Sequence, residues 1–385
     1  MKKMTELNIT DKRVLIRSDL NVPMKNNIIQ SDARLIAAMP TIQLAASKQA
    51  KVIVMSHLGR PKEGHFSKKY SLFPIFEYFK KHMKNTKIYF SNNYFDKCIV
   101  KNGEVLILEN VRFNLGELKN DNLLSQKYSN LCDIFVMDAF GSAHRMQAST
   151  YGVGMFSKTV CAGPLLIREI NALKTVLKNP KRPVTAIIGG SKVSTKFNVL
   201  NKLSQIADTV IVGGGIANTF LAIDHNIGKS LYEPNFISKA KKLKNKYNII
   251  IPIDSRVGKK FCKTEKSIIR LPEEIKQDEE IMDFGDQTIK KVVNILKTSQ
   301  TIIWNGPVGV FEFPNFCVGT KIIAKTIAEN TGFSVAGGGD TLSVIDMFNI
   351  KKNISYISTG GGAFLEFLEG KILPAIHLLQ ERYKQ

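Results

Sequence analysis

The sequence predicts an α/β fold: two doubly wound parallel-sheet sandwich domains joined by a helix, with a hinge between them. Three observations carry this. The chain has 385 residues, more than one hydrophobic core organises, which favours two domains of roughly 200 residues or slightly fewer. Short β-branched runs alternate with amphipathic helical stretches, the pattern of parallel strands covered on both faces. Nearly every run ends in a cluster of glycines or polar residues, where an open α/β sheet presents its ligand-binding edge.

The elements follow in order. Continuous apolar runs predict strands at Arg13–Arg17, Lys51–Met55, Val105–Leu108 and Ile134–Met137, and then at Thr185–Ile188, Thr209–Val212 and Ile249–Ile253. Three more are predicted at Thr301–Trp304, Ser334–Ala336 and Ile354–Ser358. Helical periodicity marks Arg34–Ser47 and Val318–Asn330. Gly163-Pro164 followed by LLIREINALKTVLKNP predicts a stiff helix bridging the domains and ending by Pro180. Pro374 interrupts the tail KILPAIHLLQERYKQ, whose pattern does not choose between the domains.

Composition narrows the context. There are 55 Lys+Arg against 33 Asp+Glu, a net charge of +22. The excess is even, with 25 basic and 14 acidic residues before Ile170 and 30 and 19 after it. Lysines dominate and spread along helix faces, so no basic arm or aromatic-interleaved stripe favours nucleic acid. The N-terminus has no apolar signal core, and no stretch has the roughly 18 apolar residues of a membrane span. Five cysteines with no CxxC spacing read as buried, reduced thiols. The expectation is a cytoplasmic protein acting on small molecules, without nucleic-acid or membrane partners.

Candidate chemistry sits just after the strands. In the first half these positions hold Arg17, Asp19 and Asn21, then His57, Leu58, Gly59 and Arg60, then Arg112, then His144 and Arg145, with Arg34 opening the first helix. Five of the seven arginines before Ile170 are in this set. Their planar forks bind carboxylate or phosphate bidentately, so the cluster predicts a pocket for a small, multiply anionic molecule. The second half presents Gly189-Gly190, Gly213-Gly214-Gly215, Gly306, Gly337-Gly338-Gly339 and Gly360-Gly361-Gly362. Five glycine-rich strand ends predict a nucleotide cradle, since glycine admits close backbone approach and helix N-termini attract phosphate. Neither a P-loop nor a GxGxxG fingerprint is present. Asp340 is the candidate Mg²⁺ ligand, and Lys192 and Lys196 are one turn apart if a helix begins nearby. A non-catalytic receptor closing on a phosphorylated metabolite accounts for the arginines but leaves these glycines unexplained.

Taken together, RSDLNVP, SHLGRP, ENVRF, FGSAHR, GGSKVSTK, VGGGIANTF, WNGPVGVFE, GGGDT and TGGGA resemble the motifs of the phosphoglycerate kinases, in family order and from end to end. Departures are small: Ser18, Leu20, Met146 and Phe364. The resemblance implies phosphoryl transfer between ATP and the carboxylate of 3-phosphoglycerate, the triose held by residues 1–168 and Mg-nucleotide by 169–372. It also implies that residues 373–385 return to the first domain. By resemblance the triose ligands are Asp19, Asn21, Arg34, His57, Leu58, Gly59, Arg60, Arg112, His144 and Arg145. The nucleotide ligands are Lys192, Lys196, Gly213, Gly214, Glu312, Gly338, Gly339, Asp340 and Thr341, with Glu312 on the ribose and Mg²⁺ on Asp340. Catalysis falls to Arg34, Lys196, Gly338 and Gly361, in a monomer that closes about its hinge.

Overall fold

The computed structural model describes residues 1–96 and 98–384. Lys97 and Gln385, both within ranges expected to form the first domain, lie outside the described residues. The chain divides into two compact units, one of Met1–Asn171 plus the segment from Ile372 onward, the other of Ala172–Lys371. The boundary falls inside a helix, Pro164–Lys178.

The first unit carries a six-stranded parallel sheet of β1 (Arg13–Ser18), β2 (Lys51–Met55), β3 (Ile88–Ser91), β4 (Val105–Leu108), β5 (Ile134–Asp138) and β6 (Thr159–Ala162), in spatial order β3-β4-β2-β1-β5-β6. Val14, Leu15 and Ile16 are all fully buried, as a central parallel strand covered on both faces requires. Each such side chain contributes about 1.5–3 kcal/mol of burial. The sequence reading missed β3 and β6, two edge strands of four residues each. Tyr89 of β3 faces solvent, and β6 (TVCA) is built partly from small residues, so neither makes a long apolar run.

The second unit repeats the design with β7 (Val184–Ile188), β8 (Thr209–Val212), β9 (Ile249–Ile250), β10 (Thr301–Asn305), β11 (Phe333–Gly337) and β12 (Tyr356–Ser358), ordered β9-β8-β7-β10-β11-β12 and all parallel. Two expected strands are shorter than their apolar runs: Ile249–Ile253 narrows to β9, and Ile354–Ser358 to β12. The unit also holds an unforeseen three-stranded antiparallel sheet of Ser255–Gly258, Ile268–Arg270 and Glu280–Phe284.

Register sets the functional edge in each unit. Arg17 is level with Met55 and Met137, and Ser18 with Asp138, so the segments after β1, β2 and β5 leave the sheet side by side. In the second sheet Ile188 is level with Val212 and Asn305. Chain order reverses between β1 and β5 and between β7 and β10, which makes both places topological switch points.

Pro374 does not merely interrupt the tail; it opens a helix, Pro374–Lys384, as its missing N–H allows at a first helical position. This helix packs on the first unit. Ala375 N–H donates to the Ala143 carbonyl, and Arg382 donates to the Ser157 carbonyl at 2.7 Å. All five cysteines are free thiols, but only Cys132 and Cys161 are buried, the other three being half-exposed. Among the described residues no helix is long and apolar enough to cross a membrane.

Candidate active site

In the first unit, cations gather at the switch point. Arg34 occupies the first turn of Ala33–Ser47, where the helix dipole disfavours positive charge. It is held there by Asp19 Oδ1 at 3.4 Å and the Asn21 carbonyl at 2.5 Å. Asn21 Oδ1 in turn accepts the Gly59 N–H at 2.8 Å, and the Arg112 guanidinium donates to the Gly59 carbonyl. Asp19, Asn21, Arg34, Gly59 and Arg112 therefore form one hydrogen-bonded group drawn from four segments.

The electrostatics of this group are unfavourable without an anion. Burial first, then Arg145 and Arg17, pull Arg112 down to about 10. Arg145 is likewise lowered, by burial first, with Arg60 and Arg34 adding repulsion and Asp19 opposing. Arg145 Nε donates to His144 Nε2 at 3.4 Å. His57 is 3% exposed and is held well below the ordinary imidazole range by burial and by Arg17, Arg112, Arg145 and Arg34. It is therefore neutral.

Two residues differ from the sequence reading. Arg17, counted there among the anion-binding arginines, has no solvent exposure; its guanidinium is spent on Ser149 Oγ, the Ser18 carbonyl and His57 Nδ1. Leu58 turns its side chain into the core, and its carbonyl accepts from Asn110 Nδ2. Arg60 is exposed. A cleft of about 510 Å³ includes Asn21 and Gly59 together with Lys68, Lys69 and Tyr70. None of the five arginines lines it, so the cation cluster rather than the cleft defines the site. Sequence reasoning passed over Glu117 and Ser149, buried polar residues beneath the cluster; nothing in their spacing marks them.

The second unit centres on Lys196. The helix after β7 begins only at Phe197, with Lys196 as its N-cap, so Lys192 is not on a shared helical face and stands exposed in the preceding turn. Lys196 tucks inward instead. Its ammonium donates to the carbonyls of Gly189 at 2.5 Å and Asn305 at 3.4 Å. Burial lowers it from 10.5 to about 8, with Asp340 opposing.

The glycines separate into two kinds. At Gly189 a Cβ would overlap the Pro307 carbonyl, and at Gly213 it would meet the Val308 backbone. Those glycines let three strand-end loops pack on one another, which narrows the expectation that all five runs cradle a nucleotide. Gly339 and Gly361, by contrast, have nothing within 4 Å of a Cβ position. They stand at the starts of the helices Gly339–Met347 and Gly362–Leu368. Gly338 caps the first of these at φ +102. Thr341 is fully buried, its hydroxyl accepting from Gly306 N–H and donating to the Gly337 carbonyl, so it braces the loop internally. Glu312 and Asp340 are exposed. Among the described residues no group of three or more His, Cys, Asp or Glu could hold a metal.

Comparison with known proteins shows the family. The pattern of the family described as Phosphoglycerate kinase matches residues 4–371. The chain belongs to the phosphoglycerate kinase family. It is 74% identical over 384 residues to the phosphoglycerate kinase of Buchnera aphidicola subsp. Acyrthosiphon pisum (strain Tuc7), covering 100% of this chain and 98% of that one. The phosphoglycerate kinase of Buchnera aphidicola subsp. Baizongia pistaciae is 57% identical over 383 residues, at 100% and 98% coverage. The solved phosphoglycerate kinase of Coxiella burnetii matches with a TM-score of 0.93 at 46% identity, covering 99% of each chain. That of Pyrococcus horikoshii OT3 matches with a TM-score of 0.86 at 31% identity over the full length of both. The reaction is that of a phosphoglycerate kinase: phosphoryl transfer between ATP and the carboxylate of 3-phosphoglycerate, a glycolytic step.

Proposed function

We propose that the first unit binds 3-phosphoglycerate or 1,3-bisphosphoglycerate and the second binds Mg-ATP or Mg-ADP. The observation that carries this is the cluster of Arg34, Arg112 and Arg145 around neutral His57, offset nearby by Asp19. Such mutual repulsion is relieved by a ligand carrying several negative charges. Asp19, Asn21, Gly59, Arg60 and His144 complete the triose assignment, with Leu58 contributing through its backbone alone.

On the nucleotide side, Lys192 and Lys196 meet the phosphates, Gly213 and Gly214 shape the adjoining loop, and Glu312 takes the ribose. Gly339 and Gly361 leave the backbone open to the phosphoryl group, Gly338 supplies the positive-φ cap beside them, and Thr341 supports the loop from behind. For Mg²⁺ the donor set fits a cation that stays on the nucleotide: Asp340 is one exposed hard oxygen ligand beside the open Gly339, and Mg²⁺ in nucleotide sites takes one or two carboxylates plus phosphates and waters. Bound there, the ion would offset charge on the phosphate oxygens.

The acceptor is already a carboxylate, so no general base is required. Catalysis is positioning plus neutralisation of charge spread over the transferred oxygens. Arg34 and Lys196 supply the mobile positive charge, both from helix N-termini where an anion is welcome. Donor and acceptor are assigned to separate units, so the reading requires hinge closure and exclusion of water before transfer. Both half-sites come from this one chain, which supports a working monomer. Five free thiols and a glycolytic reaction support a cytoplasmic setting.

Calorimetry separates the half-sites. Arg145→Ala is expected to abolish 3-phosphoglycerate binding and leave Mg-ADP binding intact, and Asp340→Ala to do the reverse. Unchanged 3-phosphoglycerate affinity in Arg145→Ala refutes the assignment.

A further inference from the structure

We propose that Glu117, Ser149 and Arg17 form a buried positioning relay that fixes His57 in its Nε2–H tautomer, so that the imidazole meets the triose anion as a hydrogen-bond donor. The inference rests on assigning the first unit's cluster to the triose.

Glu117 is fully enclosed. Its Oε1 accepts the Ser149 hydroxyl at 2.5 Å and its Oε2 the Ser149 N–H at 3.1 Å. A hydroxyl has one proton, so donation to Glu117 turns the Ser149 lone pairs toward Arg17, whose Nε donates to Oγ at 3.0 Å. A second arm of the guanidinium is anchored on the Ser18 carbonyl at 2.6 Å. With two arms pinned, the plane is set, and Nη2 lies 3.1 Å from His57 Nδ1.

The tautomer follows from the chemistry of the donor. Guanidinium has no acceptor, so Nδ1 accepts and is unprotonated, and in the neutral ring the proton resides on Nε2. Arg17, Arg112, Arg145 and Arg34 all oppose a charged ring. Burial lifts the Glu117 carboxyl from 4.5 to about 7, with Ser149 and Arg17 opposing, so the carboxylate answers the buried Arg17 charge only as pH rises through that value. Arg17, the last residue but one of β1, is level with Met55, and His57 follows two residues later. Sheet register, not local sequence, brings the pair together.

Long-range ¹H–¹⁵N correlation on the full chain, ligand-free and imidazole-labelled, reads the tautomer directly; His57→Gln assigns the signal among six histidines. The wild type is expected to show unprotonated Nδ1 and protonated Nε2 without titration from roughly pH 6 to 8. A protonated Nδ1, or an imidazolium in that range, overturns the proposal. Ser149→Ala removes the acceptor from Arg17 Nε, so both tautomers should appear. The KM for 3-phosphoglycerate should rise about tenfold, kcat should stay within about twofold and the KM for Mg-ATP should not change. Ser149→Thr, which keeps the hydroxyl, should restore the single tautomer. One Nε2–H tautomer with a wild-type KM in Ser149→Ala overturns the relay; should that variant not fold, Ser149→Gly, which also removes the Oγ acceptor of Arg17, is read in the same way. Saturating 3-phosphoglycerate should also move the His57 Nε2 signal. If it does not, while the tautomer is as described, the triose assignment fails and the relay stands.

Discussion

Nucleotide binding should change the charge of Lys196, and the proton it takes up can be counted. In the free protein burial brings this lysine from 10.5 to about 8, because its ammonium has exchanged water for two carbonyls. With that value roughly three-quarters of the lysines are neutral at pH 8.5 and about a tenth at pH 7. Phosphate oxygens within about 4 Å favour the charged form and raise the bound-state pKa. The sign follows: the bound state holds more protons than the free state between the two pKa values, so uptake accompanies binding there. Affinity then falls as pH rises above 8, by up to about tenfold per unit. Mg-ADP calorimetry in two buffers of different ionisation enthalpy measures the uptake. Relative to Lys196→Arg, whose guanidinium stays protonated throughout, the wild type should take up about 0.1 proton at pH 7 and about 0.75 at pH 8.5. Equal uptake by wild type and variant at pH 8.5 would refute the reading that a largely neutral Lys196 gains its proton on nucleotide binding.

Arg34→Ala should lower turnover at least about tenfold, equivalent to roughly 1.4 kcal/mol in the barrier; near-normal turnover in a coupled assay removes Arg34 from the phosphoryl group. Gly189→Ala and Gly339→Ala should part company: the first drives a methyl into the Pro307 carbonyl and should cost about 2 kcal/mol or more in urea unfolding. The second meets empty space, so its midpoint should hold while Mg-ADP affinity falls. Asp283 is lifted by burial from 3.8 to about 7, so the folded state binds more protons than the unfolded chain between these values and its stability declines as pH rises through that window. Asp283→Asn should therefore gain stability relative to wild type between pH 5 and 7, by up to about 1.4 kcal/mol per unit; parallel pH profiles in urea would refute the buried-carboxylate cost.

Much was legible because strand interiors and strand ends differ in composition. Runs such as Lys51–Met55 and Thr209–Val212 became strands, since an apolar segment that short is buried most economically in a two-sided parallel sheet. The arginine cluster was visible because forks gathered near strand ends suit anions, although one of the five, Arg17, is buried and spent on structural partners. β3, β6 and the antiparallel sheet around Ser255–Gly258 left no comparable mark, because IYFS, TVCA and SRVG are four-residue segments in which polar or small residues break the apolar run. The glycines were over-read: a tight loop contact at Gly189 and an open backbone at Gly339 are the same letter in sequence.

Residue types and their order carry the inventory: two parallel α/β sandwiches, the anion-binding residue types at their strand ends, and membership of a kinase family by ordered motifs. The fold then sorted that inventory into groups left exposed and groups enclosed by packing. Arg17 and Arg112 are both buried arginines at or after a strand end, yet one is hydrogen-bonded to His57 and the other reaches the Gly59 carbonyl. Lys192 and Lys196 are four residues apart, yet one is exposed and the other is brought down to about 8. The reason is physical. Exposure, tautomer and charge state depend on what packs against a group, and those neighbours come from strands distant in sequence that only the register of the sheet makes adjacent.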